Sequence, residues 1–432
     1  MRVNAFGCHT AQPIADWNAM VMTRRVLVLG ASGMVGRAIR AEARGAEELE
    51  LLPASHRRLA GHVRIDYASL TTPEAWVSAL TGQRIDAVVN CVGIWSGTAQ
   101  EFELLQYTVP VALFDACNEL GARVVHVSAL GFSADSPLPY ASTKARADRY
   151  LLDHCASGVV IYPSLIFGSD GDSSQFFLDL AALPIHVDFG FARNLQPVHV
   201  REVAQVIVGA LRQQAPPHTI DCVGTHCVNI PEYFDALRAG MGLKPALLRL
   251  KLPRWCGRLL FQAGEVLGAH FVNRQTWILL ATGTHGSAKN PAALPYEKFA
   301  TAADRRVTQE TQLYWFARLG IAFLWLWTAA VTYFSWPQQE TLSWLDSLWP
   351  GLGTPFWLAA SCVLDAALGT ASLLWPRKRL WQVQFALTAV YSVGLAVALP
   401  WSWSHPFGPL TKNLAVLATM LFLALQESKK GR

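Results

Sequence analysis

Val26-Leu-Val-Leu-Gly30-Ala-Ser-Gly33-Met-Val-Gly36 decides how this chain folds. Its first four residues are wholly apolar, as a strand covered on both faces must be. Three glycines follow at intervals of three, and residues 37–44 then read as a helix. Glycine serves three physical ends at such a place. It permits a tight turn, lets backbone approach a pyrophosphate, and lets strand and helix pack closely. The N-terminus of the helix then faces the phosphates. The flanking strand and helix separate this loop from an ordinary glycine-rich turn. Gly30, Ser32, Gly33, Met34, Val35 and Gly36 are therefore candidate nucleotide-binding residues.

The same rhythm continues outward. Residues 50–55, 62–66, 85–90, 123–128 and 158–163 read as strands, with helical segments near 72–81, 102–120 and 140–155. Strands alternating with helices imply an α/β fold with a doubly wound parallel (Rossmann) sheet. The second strand ends at Ser55-His56-Arg57-Arg58. An acidic residue about 20 residues past the glycines would bind the ribose hydroxyls of NAD. None is present. Arg57 and Arg58 suit a 2′-phosphate instead, which favours NADP(H) over NAD(H). As a plainer alternative, both are solvated loop charges.

Three further features fall downstream. Ser128 ends the strand Val124-Val-His-Val-Ser128, Tyr140-Ala-Ser-Thr-Lys144 follows twelve residues later, and Asn90-Cys-Val-Gly93 ends the fourth strand. An unperturbed Tyr titrates near about 10 and is a poor base at neutrality. A Lys ammonium four residues along the same helix face favours its phenolate. Tyr140 can then exchange a proton with a substrate oxygen while a nicotinamide carries hydride.

With the glycine loop, these features resemble the extended and atypical branches of the short-chain dehydrogenase/reductase superfamily, the NAD-dependent epimerase/dehydratase-like proteins, over roughly residues 24–300. Within them the chain is similar to the atypical group containing the NADPH-binding accessory subunit of respiratory complex I. Members of that group often bind the nucleotide tightly, and some lack the catalytic Tyr. The resemblance implies a catalytic set of Ser128, Tyr140, Lys144 and Asn90. Ser128 would bond the reacting oxygen, and Lys144 would also hold the nicotinamide ribose. It further implies cofactor contacts from Cys91, Val92 and Gly93, an adenine contact from Asp66 and Tyr67, and a nicotinamide contact at Pro163 in Tyr162-Pro-Ser-Leu-Ile-Phe-Gly168. Gln196-Pro-Val-His-Val200 resembles a strand entering a late helix, with His199 structural.

The chain as a whole does not have the composition of a soluble enzyme. Its 432 residues suggest two or three domains. Only 16% are charged, against about 25% in a typical soluble protein. Of 16 Trp, eleven lie after residue 314. From there on, eight Lys/Arg against four Asp/Glu supply +4 of the formal +5. The remaining body is nearly neutral, which gives no electrostatic case for nucleic acid. The eight Cys are scattered with no CxxC pair, so neither a metal site nor a disulfide framework is indicated.

Four windows have the length of a spanning helix: 315–334, 356–375, 380–399 and 409–426. The expected organisation is a disordered leader at 1–23, with Met20 or Met22 as alternative starts, and a dinucleotide-binding domain at 24–230. A substrate-side lid and linker at 231–312 and an all-α four-helix transmembrane domain at 313–432 complete it. The basic stretches Pro376-Arg-Lys-Arg379 and Lys429, Lys430 and Arg432 fall on one side of the spans. That places the body and the C-terminus in the cytoplasm, with the spans in a cytoplasmic or inner membrane. Asp365 lies within the second span, where a carboxylate is costly, and Arg318, Thr388 and Tyr391 are its candidate partners. The tail, notably His405-Pro-Phe-Gly-Pro-Leu-Thr-Lys-Asn413, resembles DoxX-like membrane domains. Residues 244–267 carry five basic residues among Leu, Trp, Phe and Val. Such a stretch lies on a membrane surface or packs on the sheet with its charges in water.

Three functions follow as expectations. The first is a membrane-tethered NAD(P)-dependent oxidoreductase acting on a lipophilic carbonyl or alcohol, such as a quinone or isoprenoid-related compound. The second is a nucleotide-sugar epimerase or dehydratase. The third is a non-enzymatic nucleotide-binding subunit of a membrane complex.

Overall fold

The computed structural model describes residues 23–430 apart from 193, 267, 287–289, 291, 349 and 399–408. The leader with its alternative starts, His405-Pro-Phe-Gly408 and Arg432 lie outside the described residues. The chain divides into two compact units at Ala302.

The first unit opens with β1 (Arg24–Leu29), α1 (Met34–Glu42), β2 (Leu49–Ser55), β3 (Val63–Arg64), α2 (Pro73–Leu80) and β4 (Ala87–Asn90). Next come α3 (Ala99–Glu103), α4 (Val109–Glu119), β5 (Arg123–Val127), α5 (Pro139–His154) and β6 (Val159–Pro163). The last part holds β7 (Ile166–Phe167), α6 (Asp172–Ala182), β8 (Ile185–Asp188), β9 (Val198–His199), α7 (Val200–Arg212) and β10 (Thr219–Cys222). It closes with α8 (Ile230–Gly240), β11 (Leu248–Lys251), α9 (Arg254–Val266) and α10 (Arg274–Thr282).

Seven strands form one parallel sheet in the order β10-β6-β5-β4-β1-β2-β3. Successive residues of β1 point to opposite faces. Val26 and Val28 join Ile39 of α1 and Val203 and Ile207 of α7. Leu27 and Leu29 join Trp76, Leu113, Phe114 and Leu151 from α2, α4 and α5 on the other side. That double burial is why β1 contains no polar residue after Arg25. Chain order reverses on either side of β1, so the crevice above β1 and β4 is the topological switch point, where such sheets bind ligands.

The helix expected over 102–120 is broken. A five-residue π turn at Leu104–Thr108 separates α3 from α4. It buries Gln106, whose amide donates to Ile94 O (3.0 Å) and accepts from Thr143 Oγ1 (3.1 Å). A π turn inserts one extra residue per turn, and here it supports the loop that follows β4. From the expected lid and linker, Tyr296 and Phe299 join a third core with Phe167, Tyr233, Leu237 and Trp277. Its residues up to Ala302 belong to the first unit, and the remainder open α11.

The second unit contains α11 (Ala302–Phe334), α12 (Gln338–Leu348), α13 (Pro355–Leu374), α14 (Lys378–Ala398) and α15 (Pro409–Lys430). Among the described residues, α11, α13 and α14 are long and apolar enough to cross a membrane. The fourth expected window is also helical, in α15. Between the first two expected windows lies a further helix, α12. Inside the unit, Tyr314, Ile321, Trp325, Trp381, Met420 and Leu423 form the core. Gln384 is fully buried there. Its Oε1 accepts from Trp325 Nε1 (3.1 Å), and its Nε2 donates to Ser372 Oγ (2.8 Å) and Leu368 O (3.3 Å). Arg318 donates to the carbonyls of Ser372 and Leu373 and stacks on Trp315. Thr388 turns to Met420 Sδ (3.8 Å). Two of the three partners proposed for Asp365 are therefore engaged elsewhere.

A Cβ at Gly36 would stand 2.5 Å from Gly30 O and 2.6 Å from Ala31 Cα, both backbone atoms. Gly36→Ala should cost about 1–3 kcal/mol, the usual penalty for overpacking, and should abolish dinucleotide binding. Thermal unfolding with and without NADPH checks both, and a variant still stabilised by NADPH would refute the point. Gln384→Leu should cost about 1–2 kcal/mol by stranding the Trp325 indole N–H, read as a lower unfolding midpoint in detergent.

Candidate active site

The turn after β1 is built as its glycines require. Gly30 has φ +75°, and a Cβ there would lie 3.1 Å from the Cys91 carbonyl carbon and oxygen. Gly33 N donates to Gly30 O (2.9 Å) and begins α1 with no side-chain cap. The first N–H groups of α1 are therefore open to an anion. Met34 lies beneath the loop, its sulfur filling the space beside Gly168 and Gly171.

Ser55 closes β2, and its Oγ accepts from Arg57 N (3.1 Å). Arg57 and Arg58 are both exposed. Asp66 is exposed, whereas the Tyr67 side chain is buried and lies edge-on to Trp76, 5.8 Å between centroids. Burial also pushes the Tyr67 hydroxyl well above its ordinary value.

Asn90 is fully buried. Its Oδ1 accepts from Val92 N (3.1 Å), which fixes the turn through Cys91 to Gly93. Its Nδ2 donates to Tyr67 OH (3.2 Å) and lies 3.2 Å from His126 Nδ1. Since Nδ2 is a donor, His126 Nδ1 must accept, which leaves the proton on Nε2. That nitrogen faces Asp148 Oδ1 at 3.5 Å. The other carboxylate oxygen, Oδ2, accepts from Ser128 Oγ at 2.6 Å. Burial lowers the His126 value well below the ordinary one, and nearby Lys144 adds to the effect.

Tyr140, Lys144 and Asp148 follow at intervals of four on α5 and so share one helix face. Lys144 is buried and donates to Val127 O (3.0 Å). Its Nζ would lie 3.7 Å from a Cβ at Gly93, in contact with the loop after β4. Burial lowers the Lys144 value, while Asp148 and Cys91 oppose that shift. Asp148 is raised to about 6 by burial, against the Ser128 hydrogen bond and the charge of Lys144. Burial likewise raises the Cys91 thiol to about 12.

Tyr140 departs from its expected electrostatics. Burial pushes its hydroxyl up to about 12, where the sequence reading had Lys144 drawing it down. The ring is packed edge-on against Trp95 (5.3 Å), Phe132 (5.2 Å) and Phe102 (5.9 Å). At neutral pH it is a phenol, a proton donor. Phe271 continues the wall, 5.8 Å from Trp95 and 5.4 Å from Phe176. The Trp95 indole N–H is spent on His270 O (3.3 Å), and Gln275 Nε2 donates to Trp95 O (2.9 Å).

Pro163 ends β6 beside Ser164, whose Oγ donates to Thr284 O (2.6 Å). His199 caps α7, its ring accepting from Arg201 N (3.2 Å) while Glu202 accepts from His199 N (3.1 Å). The fold thus brings Ser128, Lys144, Cys91 and Gly93 to one edge of the sheet, with Asn90 below. Sequence reasoning missed His126, Asp148 and the aromatic wall. Asp148 had a signal, since it continues the Tyr140 and Lys144 spacing. Residues 95, 102, 132 and 271 had none, because four separate segments bring them together.

Residues 26–222 match the NAD dependent epimerase/dehydratase family, and residues 322–421 match the DoxX-like family. A mouse protein, NADH dehydrogenase [ubiquinone] 1 alpha subcomplex subunit 9, mitochondrial, is 30% identical over 135 residues. That stretch is 30% of this chain and spans about a third of the relative's length, 36%. Among solved structures, ADP-L-glycero-D-manno-heptose-6-epimerase of Helicobacter pylori has TM-score 0.46 at 13% identity, covering 65% of this chain and 94% of that one. dTDP-4-dehydrorhamnose reductase of Bacillus anthracis, solved with NADP, has TM-score 0.44 at 15% identity, covering 54% and 85%. None of these likenesses bears on substrate. The switch-point crevice, the open N-terminus of α1 and the matched families agree: the chain joins an NAD(P)-binding domain of the epimerase/dehydratase family to a DoxX-like membrane domain.

Proposed function

We propose that this protein is a membrane-tethered, NADPH-dependent reductase of a flat, lipophilic carbonyl such as a quinone or isoprenoid-related ketone. One observation carries the reading. The only polar group on the Tyr140 ring is its hydroxyl, and that ring is walled by Trp95, Phe102 and Phe132. Such a wall excludes water and favours an apolar substrate. It offers a nucleotide-sugar little to bond with, since the Trp95 N–H is already engaged.

A nicotinamide dinucleotide, when bound, would supply hydride to the carbonyl carbon. Tyr140 donates its proton to the carbonyl oxygen, giving the alcohol, and takes a proton back from water. A phenol held near 12 suits this reductive direction, because it carries its proton at neutral pH. Lys144, beside Gly93, would hold the nicotinamide ribose, and Asp148 favours its charged form. Ser128 hydrogen-bonds the same carbonyl oxygen after turning from Asp148. Asn90 holds the loop from Cys91 to Gly93, which with Pro163 would contact the nicotinamide. Asp66 would contact the adenine, with the Tyr67 ring buried behind it and bonded to Asn90, and the exposed Arg57 and Arg58 would bind the 2′-phosphate. The basic residues at 377–379 and 429–432 support a cytoplasmic side for this unit and the C-terminus.

A second reading is favoured by one contact. Ser128 Oγ is bonded to Asp148 (2.6 Å), as in a site that holds the nucleotide without turning it over. Tyr140→Phe separates the two readings. On a panel of lipophilic quinones and ketones, NADPH oxidation should fall by about 10²–10⁴-fold with NADPH affinity unchanged. A wild type with no turnover on any of them supports the non-enzymatic reading.

Arg57→Ala with Arg58→Ala should weaken NADPH by about 10–100-fold, the worth of one or two charge-assisted hydrogen bonds, and leave NADH unaffected. Equal losses for both nucleotides would point to NAD(H).

Asp148 adds a pH dependence. Its folded value near 6 exceeds the unfolded value of about 3.9. The stability it contributes is therefore full below about pH 4 and is lost as pH rises through about 6. Asp148→Asn should remove that decline. The difference from wild type across this window should be at most about 3 kcal/mol, read from unfolding midpoints, and parallel curves would count against it.

A further inference from the structure

We propose that α9 and the β11 edge form a docking face for an anionic lipid surface. The argument begins with α9, which is apolar on two opposite sides. Gly257, Phe261 and Gly264 are buried and fall at i, i+4 and i+7, so they mark one face. Trp255, Leu259, Gln262 and Val266 repeat the same spacing on the face directly opposite. Trp255 is 63% exposed, Leu259 57% and Val266 88%. A helix hydrophobic on both sides is expected to be covered on both.

The strand leading into α9 adds further exposed apolar residues. β11 pairs with β8 in a two-stranded sheet, Leu248 opposite Ile185 and Leu250 opposite Val187. Leu248, Leu250 and Ile185 are all exposed, and Leu247 beside them is 87% exposed. The alternate residues, Arg249 and Lys251, point the other way. They line a cavity of about 230 Å³ with His186, Asp188 and Glu232.

Charge selects the occupant. Residues 244–266 carry Lys244, Arg249, Lys251, Arg254 and Arg258 against a single acidic residue, Glu265. Arg249 is paired with Asp235, and Arg254 donates to Gly190 O. Lys251 turns into the cavity beside Asp188 and Glu232. Among the described residues, Lys244 and Arg258 have no ion-pair partner. An exposed apolar stripe with Trp and Leu, flanked by uncompensated cations, is the pattern that partitions into a lipid headgroup layer. The chain has its own membrane-spanning helices, so such a surface is always at hand. A soluble acidic protein would satisfy the cations and leave Trp255, Leu259 and Val266 wet.

Hydrogen exchange of the full-length protein in nanodiscs tests this. Phosphatidylcholine discs are compared with discs that also contain phosphatidylglycerol. Amides in residues 254–266 should exchange about fivefold or more slowly on the anionic bilayer, the gain expected from each cation brought to it. Lys244→Gln with Arg258→Gln should remove that increment alone. Trp255→Ser with Leu259→Ser should remove protection on both bilayers, while exchange in β4, β5 and β6 stays unchanged as the control for folding. Exchange that is the same on both bilayers and in both variants would overturn the proposal. So would protection that rises with the number of chains per disc, which would mean that a second copy covers the face.

Discussion

The contact between the turn after β1 and the backbone of Cys91 is the constraint on which the rest of the site depends. A Cβ at Gly30 would stand 3.1 Å from Cys91 carbonyl atoms, and one at Gly36 would strike Gly30 O. Backbone cannot move aside as a flexible side chain can, so only glycine lets the two turns meet. Once they meet, the chain beyond β4 has little freedom. Asn90 holds Val92 N, and the Lys144 ammonium settles beside Gly93. The crevice is therefore an outcome of backbone packing, and its side chains inherit their positions from it.

The second determinant is the low dielectric beneath that crevice. Three ionisable side chains, His126, Lys144 and Asp148, are buried together. Each alone would pay a large desolvation cost. Together they share it. Burial pushes Lys144 and Asp148 toward their neutral forms, and each partly restores the charge of the other. Tyr140 stands apart from this exchange. Its ring packs on aromatic edges, and burial alone governs its hydroxyl. Spacing on a helix face brought Tyr140 and Lys144 near each other, but proximity did not decide which force dominated.

How much of this could be read from the sequence depended on how local each feature was. Glycines at 30, 33 and 36 and the alternation of strands and helices are local patterns, and they yielded the parallel sheet. The YxxxK spacing placed Tyr140 and Lys144 on one helix face. The aromatic wall is a non-local fact, assembled from the loop after β4, from α3, and from the segments around 132 and 271. The π turn at 104–108 was hidden because the stretch keeps a helix-forming composition throughout. The end of the expected lid and linker is polar in composition, but two of its aromatic side chains, Tyr296 and Phe299, outweigh their polar neighbours once Phe299 packs against Phe167.

The helical unit shows the same logic in a medium that penalises unpaired polar groups. Gln384 has every amide atom bonded to a neighbour. Arg318 donates to carbonyls in the last turn of α13, the groups a helix C-terminus leaves unpaired and the end its dipole makes negative. Its place in the first span is thus explained without a counter-ion. Asp365, midway along α13, is left with the third candidate, since Arg318 and Thr388 are committed elsewhere. Tyr391 of α14 lies close enough to feel its charge. A carboxylate within a span is costly, and a phenol from the neighbouring helix gives it a polar neighbour where the bilayer offers none.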